Sequence, residues 1–205
     1  TPSGPDGQPT TGGISESLRQ LGFTTFRLKT GTPPRVLPET IDFSKAQLER
    51  GSEEPYTFSD TTTEVIPYEK QVPCYLIYTN EATHKFILDN LHRSSMYSGV
   101  VKGVGPRYCP SIEDKLVRFK DKERHQLFLE PESLQLPTTY VQGFSTSLPR
   151  NVQEKMVHSL PGLENCTIVK YAYAIEYDAI DPLQLKPSLE TKLIDGLFCA
   201  GQING

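Results

Sequence analysis

Residues 105–119 read GPRYCPSIEDKLVRF, and this stretch predicts a stiff loop followed by a short helix. Pro106 and Pro110 each fix φ and lack a backbone donor, so the segment between them should be rigid and non-helical. Ser111 is placed to cap a helix that has acidic residues in its first turn and basic residues further along. The stretch therefore predicts a loop that ends at a capped helix.

The helical part of this stretch predicts one buried face and one anion-binding end. Ile112, Leu116 and Phe119 recur at helical spacing and should form the buried face. Free N–H groups at the helix start, next to Arg107, are suited to a phosphate or another anion. Cys109 lies beside this cation, in an environment typical of reactive cysteines. The alternative is a proline-braced turn with an inert cysteine, and the residues alone favour that alternative.

The composition indicates a globular protein without an overall basic surface. The chain has 205 residues, of which 36% are hydrophobic and 22% charged, and it contains no apolar run of the roughly 20 residues that a membrane helix needs. Its formal net charge is −4, so any contact with nucleic acid would need a local patch or other sequence. The four cysteines stand far apart without a CxxC pair, which argues against a metal site and a disulfide framework.

Hydrophobic periodicity predicts several elements elsewhere in the chain. Residues 71–79 alternate like a strand, and residues 150–159 follow a helical pattern. A short helix is expected over 41–48. The apolar run 197–200 predicts a strand, and the glycine-flanked turn 201–205 follows at its carboxyl end, where α/β sheets bind ligands. Because the chain stops within this turn, we expect it to be a fragment.

The stretch 105–119 closely resembles the signature of the MnmG/GidA family, which comprises the flavoprotein subunit of a tRNA wobble-uridine modifying enzyme. Other segments resemble the same family in the same order along nearly the whole chain. These segments are RLKTGTPPR (27–35), QVPCY (71–75), HQLFLEPE (125–132), STSLP (145–149), YAIEYD (173–178) and AGQING (200–205).

The resemblance implies an α/β fold in which part of an FAD-binding Rossmann-like domain lies at both chain ends, with an inserted α+β domain in the middle. The expected division has three segments. Residues 1–35 end the first FAD-domain segment and cross over, residues 36–145 form the inserted NAD-associated domain, and residues 146–205 return to the FAD domain.

The resemblance also implies site residues. FAD is expected at the final turn, through Gln202 and Gly201. Segment 27–35 should lie close to the site, and Cys109 is the candidate for covalent or proton-transfer chemistry. The NAD-contacting residues are expected to be those of the signature: Gly105, Pro106, Arg107, Tyr108, Cys109, Pro110, Ser111, Ile112, Glu113, Asp114, Lys115, Leu116, Val117, Arg118 and Phe119.

The implied activity is addition of an aminomethyl or carboxymethylaminomethyl group to C5 of the tRNA wobble uridine. The family's enzyme works with the GTPase MnmE, takes its carbon from methylenetetrahydrofolate, and uses FAD and NADH. A cytoplasmic homodimer is expected, with most of the tRNA contact outside this chain and little activity in the chain alone. The alternatives are a folate- and FAD-dependent tRNA uridine methyltransferase or a non-catalytic interaction or dimerisation fragment.

Overall fold

The chain folds into a mixture of helices and strands, which confirms the predicted α/β class. A computed structural model describes residues 7–10, 12–105 and 108–204, so Pro106 and Arg107 of the signature lie outside the described residues. Within these ranges the α-helices are α1 (Gly13–Gln20), α2 (Glu81–Asp89), α3 (Ile112–Arg118) and α4 (Arg150–His158). The strands are β1 (Thr25–Gly31), β2 (Arg35–Val36), β3 (Gln47–Glu49), β4 (Cys74–Tyr78), β5 (Gln126–Pro131), β6 (Thr139–Gln142), β7 (Ile168–Lys170) and β8 (Ala174–Ile180).

These elements belong to two compact units, each built from separate stretches of the chain. The first unit contains the described residues of 7–29, 102–105 and 176–204, and the second contains Thr30–Val101 and 108–175. Residues 146–175 therefore pack within the second unit, although the predicted third segment begins at residue 146. The division into cofactor-binding segments stays a prediction.

The second unit is built on a six-stranded sheet with the order β3-β4-β5-β6-β2-β7. Neighbouring strands of this sheet are antiparallel; for example, Leu76 of β4 lies opposite Phe128 of β5. The predicted strand at 71–79 and the predicted helix at 150–159 are confirmed by β4 and α4. The predicted helix at 41–48 is wrong, because a short 3-10 turn at Phe43–Lys45 is followed directly by the edge strand β3.

The core of the second unit lies where helices α2, α3 and α4 pack with the sheet. Asn80 caps α2 by accepting a hydrogen bond from the Thr83 N–H at 2.9 Å, which starts the helix directly after β4. Each helix contributes fully or almost fully buried apolar side chains to this core. Members from the helices and the sheet are Ile87, Ile112, Leu116, Val152, Met156, Leu127, Leu129 and Val141.

The first unit is smaller and has its own core. Strands β1 and β8 pair as a two-stranded sheet, and Leu18 of α1 packs with Ile180 of β8. The unit carries an open groove of about 360 Å³. Asp178 in this groove accepts hydrogen bonds from Arg19 at 3.0 Å and from Arg27 at 2.8 Å. These three charged side chains of the groove therefore pair with one another.

The described part of the chain contains neither a candidate metal-binding cluster nor a candidate membrane-spanning helix. Among residues 7–10, 12–105 and 108–204, no three histidine, cysteine or acidic side chains are grouped to hold a metal ion. The helices found in those same ranges are all too short or too polar to cross a membrane.

Two histidines of the second unit meet at the junction between β4, α2 and β5. The ring centroids of His84 and His125 are 5.5 Å apart. Thr79 joins them, because its Oγ1 lies 2.6 Å from His84 Nε2 and accepts the His125 N–H at 2.8 Å. Burial lowers the pKa of both histidines, and the pKa of His125 is lowered further by His84, Lys115 and Lys122.

This pair predicts that the second unit loses stability in mild acid. A histidine whose pKa falls on folding makes its full contribution to the free energy of unfolding at a pH above its unfolded pKa, which is near 6.5. That contribution is lost as the pH drops below this value, because the unfolded chain then binds the extra proton. Urea unfolding at pH 7.5 and 5.5 should show a larger loss for the wild-type chain than for His125→Gln. An equal loss in both proteins would contradict this assignment.

Candidate functional site

Ser111 caps helix α3, as predicted, and the cap is a reciprocal pair of hydrogen bonds with Asp114. Ser111 Oγ accepts the Asp114 N–H at 3.1 Å, and Asp114 Oδ2 accepts the Ser111 N–H at 3.3 Å. The Ile112 N–H donates to the carbonyl oxygen of Ser145 at 2.8 Å. The expectation of free amides at this helix start is therefore wrong for these three residues, since each amide already has a partner within the chain.

The buried face of α3 is shorter than predicted. Ile112 and Leu116 are buried, as expected, but Phe119 is 50% exposed. The helix ends at Arg118. Phe119 takes φ −120° and ψ 54°, which are not helical, so its side chain does not continue the buried face of the helix. Ile112 and Glu113 are 0% exposed, so these two predicted NAD contacts have no surface to offer a cofactor.

Cys109 is exposed at the end of the loop that precedes α3, whereas Cys166 and Cys199 are buried. The Thr30 hydroxyl, which belongs to the segment 27–35, donates a hydrogen bond to Cys109 Sγ at 3.2 Å. A hydroxyl that donates to sulfur restricts the position of that sulfur atom. Thr30 is thus the residue of the segment 27–35 that contacts Cys109.

Lys115 lies on the same helix and is partly buried. Its Nζ donates to the Gly143 carbonyl oxygen at 2.9 Å. Burial lowers the pKa of Lys115, while a negative charge on Cys109 acts in the opposite direction. Cys109 and Lys115 are therefore electrostatic neighbours, and the thiol has a partly buried ammonium group in its surroundings.

A row of cationic and aromatic side chains crosses the sheet near Cys109. Arg35 of β2 lies opposite both Tyr140 of β6 and Lys170 of β7, and its guanidinium carbon is 4.7 Å from the centroid of the Tyr140 ring. The Arg35 Nε also lies 3.4 Å from Glu132 Oε1. Burial raises the pKa of Tyr140, the Arg35 charge lowers it, and the neighbouring Cys109 raises it.

We call Cys109, Thr30, Lys115, Arg35 and Tyr140 the Cys109 site, and all five lie in the second unit. The signature predicted only Cys109 and Lys115 among them. Arg35 and Thr30 fall in the segment 27–35, whose implied position near the site was the available signal. Tyr140 has no distinctive local pattern, and only the strand register brings it to Arg35.

The predicted FAD turn lies in the first unit and has an open surface. Gly201–Asn204 forms a short 3-10 helix in which Gly201 and Gln202 are exposed. Gly201 has φ +80°, and a side chain added there would meet no heavy atom of the described residues within 4 Å. The predicted strand at 197–200 is wrong, because Phe198 forms only an isolated bridge with Glu190.

The chain is a mixed α/β protein of two units, and the loop before the capped helix α3 carries an exposed, hydrogen-bonded cysteine, Cys109. The chain belongs to the family described as glucose inhibited division protein A, whose model matches residues 1–205. It is similar over its full length to the structure of Aquifex aeolicus GidA in the form I crystal, with 50% identity and a TM-score of 0.87. The match covers 35% of that chain.

Two curated relatives carry the name tRNA uridine 5-carboxymethylaminomethyl modification enzyme MnmG. The protein of Ureaplasma parvum serovar 3 is 58% identical over 202 residues, which is 98% of this chain. The protein of Acholeplasma laidlawii is 59% identical over 205 residues, or 100% of this chain. The chain spans 33% of the length of each relative.

Proposed function

We propose that these residues form part of the flavin-dependent subunit of an enzyme that modifies the wobble uridine of tRNA. The product carries an aminomethyl or carboxymethylaminomethyl group at C5. The observation that supports this proposal is the 58% identity, over 98% of the chain, to a relative named as that modification enzyme. The whole enzyme would work in the cytoplasm as a homodimer, with an MnmE-type GTPase and with carbon from methylenetetrahydrofolate.

The turn at Gly201–Asn204 has features that suit contact with FAD. Gly201 leaves open space beside the backbone, and the exposed Gln202 amide can both donate and accept hydrogen bonds. Asn204 donates from Nδ2 to the Cys199 carbonyl oxygen at 3.0 Å, while its buried Oδ1 accepts no hydrogen bond from the described residues. When bound, FAD would supply the redox chemistry, and these residues would hold and orient it.

The proposed NADH contact uses the exposed part of the signature. Tyr108 and Cys109 are exposed, Tyr108 by 87%, and Arg118 presents a cation near the end of α3. Arg107 stays a proposed diphosphate contact on chemical grounds, because a guanidinium forms paired hydrogen bonds with phosphate oxygens. Since the amides of Ser111, Ile112 and Asp114 have partners in the chain, side chains would carry most of this contact.

Cys109 is the proposed reactive group of the site. A thiol can form a covalent intermediate or move a proton, and both roles need access to the reactant. The exposure of Cys109 provides this access, and the hydrogen bond from Thr30 fixes the sulfur. Lys115, which is partly buried on the same helix, interacts electrostatically with Cys109.

An NADH titration of the full-length protein tests the cofactor part of this proposal. NADH should bleach the flavin absorbance of the wild-type protein. Arg107→Ala should weaken the apparent NADH affinity by about 10-fold or more, since hydrogen bonds to charged groups contribute about 1.5–3 kcal/mol. Arg50→Ala is the matched control, because Arg50 is exposed, lies outside the signature in sequence and packs over the Tyr68 ring. A colourless preparation, or equal affinities for all three proteins, would contradict the proposal.

A further inference from the structure

Glu113 is a fully buried acid in the first turn of α3, four residues after Cys109 in the sequence. It is 0% exposed. Its Oε1 accepts three hydrogen bonds, which come from Ser94 Oγ at 3.1 Å, Thr146 Oγ1 at 2.9 Å and the Ser147 N–H at 3.2 Å. Its Oε2 accepts none from the described residues. Burial of a carboxyl group is costly, and an apolar side chain would fill the same space without that cost.

The groups that bind Glu113 also bind one another. Ser94 Oγ lies 2.7 Å from Ser147 Oγ, and Ser147 Oγ accepts the Met96 N–H at 3.1 Å. The Ile112 N–H donates to the Ser145 carbonyl oxygen at 2.8 Å. Glu113 is therefore the centre of a network that joins three segments, 94–96, 111–114 and 145–147, which are far apart in the sequence.

Two of these segments form the surface on which Gly31 rests. A side chain at Gly31 would come within 3.3 Å of the Met96 Cε atom and 3.6 Å of the Ser145 Cβ atom. The residue before Gly31 is Thr30, whose hydroxyl donates to Cys109 Sγ. The network thus reaches Thr30 through the packing of Gly31 on Met96 and Ser145, while Cys109 is joined to Glu113 through the start of α3.

We propose that Glu113 is a positioning residue, which sets the contact between Thr30 and Cys109 from both sides. It fixes the start of α3, which follows Cys109, and it fixes the segments that support Thr30. The inference deepens the proposed function, because it rests on Cys109 being the reactive group of the site. It assigns to Glu113 an effect on the thiol without any contact between Glu113 and the substrate.

The test measures the rate at which iodoacetamide alkylates Cys109 in the full-length protein, followed by mass spectrometry of the peptides. Thr30→Val and Glu113→Ala should each change this rate by about threefold or more, and the double variant should show no further change, as expected for coupled sites. Glu113→Gln keeps an oxygen acceptor and should restore the wild-type rate to within about twofold. The exposed Glu123, changed to Ala, is the matched control and should leave the rate unchanged.

Alkylation of the buried Cys166, also in the second unit, distinguishes positioning from loss of the fold. Cys166 should stay protected in every variant. A protected Cys166 with a wild-type Cys109 rate in Glu113→Ala would overturn the proposal. If Glu113→Ala exposes Cys166, Thr146→Val decides instead: it should change the Cys109 rate while Cys166 stays protected, and an unchanged rate overturns the proposal. The assay needs no cofactor or tRNA, so its failure is distinct from failure of the proposed function.

Discussion

Replacing Phe144 by alanine should lower the free energy of unfolding by about 3–5 kcal/mol, the usual range for loss of a buried phenylalanine ring. Phe144 is 0% exposed and belongs to the core of the second unit. Its ring packs in the same cluster as Leu127 of β5 and Val141 of β6. Removal of the ring leaves a cavity that close-packed neighbours cannot fully close, which adds to the lost hydrophobic contribution.

Phe58→Ala is the matched control, because it makes the same chemical change at a fully exposed position in the same unit. We expect it to alter the free energy of unfolding by at most about 0.5 kcal/mol. Urea unfolding followed by circular dichroism gives both values under one set of conditions. Similar values for the two variants would show that Phe144 is not part of a close-packed core.

Local chemistry predicted the elements that depend on neighbouring residues. Ser111 caps α3, as predicted, and Asp114, three residues later, returns a hydrogen bond to it. The alternation of apolar residues likewise identified β4. Both features are decided within a few residues, so the sequence contains the whole signal.

Predictions failed where a longer-range contact decided the structure. The apolar pattern at 41–48 fits a helix, but residues 47–49 pair with β4 and form an edge strand instead. Phe119 fits the helical spacing, but α3 ends one residue before it. The Ile112 amide was expected to be free because no local pattern reveals that the Ser145 carbonyl oxygen accepts its N–H.

The same limit applies to the Cys109 site. The signature identified Cys109, but its partner Thr30 is 79 residues away in the chain. Arg35 and Tyr140 meet only because β2 and β6 pair in one register. Glu113 looked like an ordinary acid in a first helical turn, and its burial follows from Ser94, Thr146 and Ser147 closing around it.

Replacing Cys109 by alanine in the full-length protein should reduce wobble-uridine modification by at least about 100-fold, since nucleophilic and general acid–base groups contribute about 10²–10⁴-fold to rates. Cys109 is the exposed thiol of the site and accepts the Thr30 hydrogen bond. Cys74→Ala is the matched control, because Cys74 lies on β4, where burial raises the pKa of its thiol, and it takes no part in the Cys109 site.

The most direct measurement is a reconstituted assay of tRNA modification. The full-length protein and an MnmE-type GTPase are incubated with unmodified tRNA, GTP, NADH, methylenetetrahydrofolate and an amino donor. The wobble nucleoside is then identified by mass spectrometry after digestion of the tRNA. The proposed function predicts an aminomethyl or carboxymethylaminomethyl group at C5 with the wild-type protein and with Cys74→Ala, and almost none with Cys109→Ala. An unmodified uridine from folded, flavin-loaded wild-type protein, or full modification by Cys109→Ala, would contradict it.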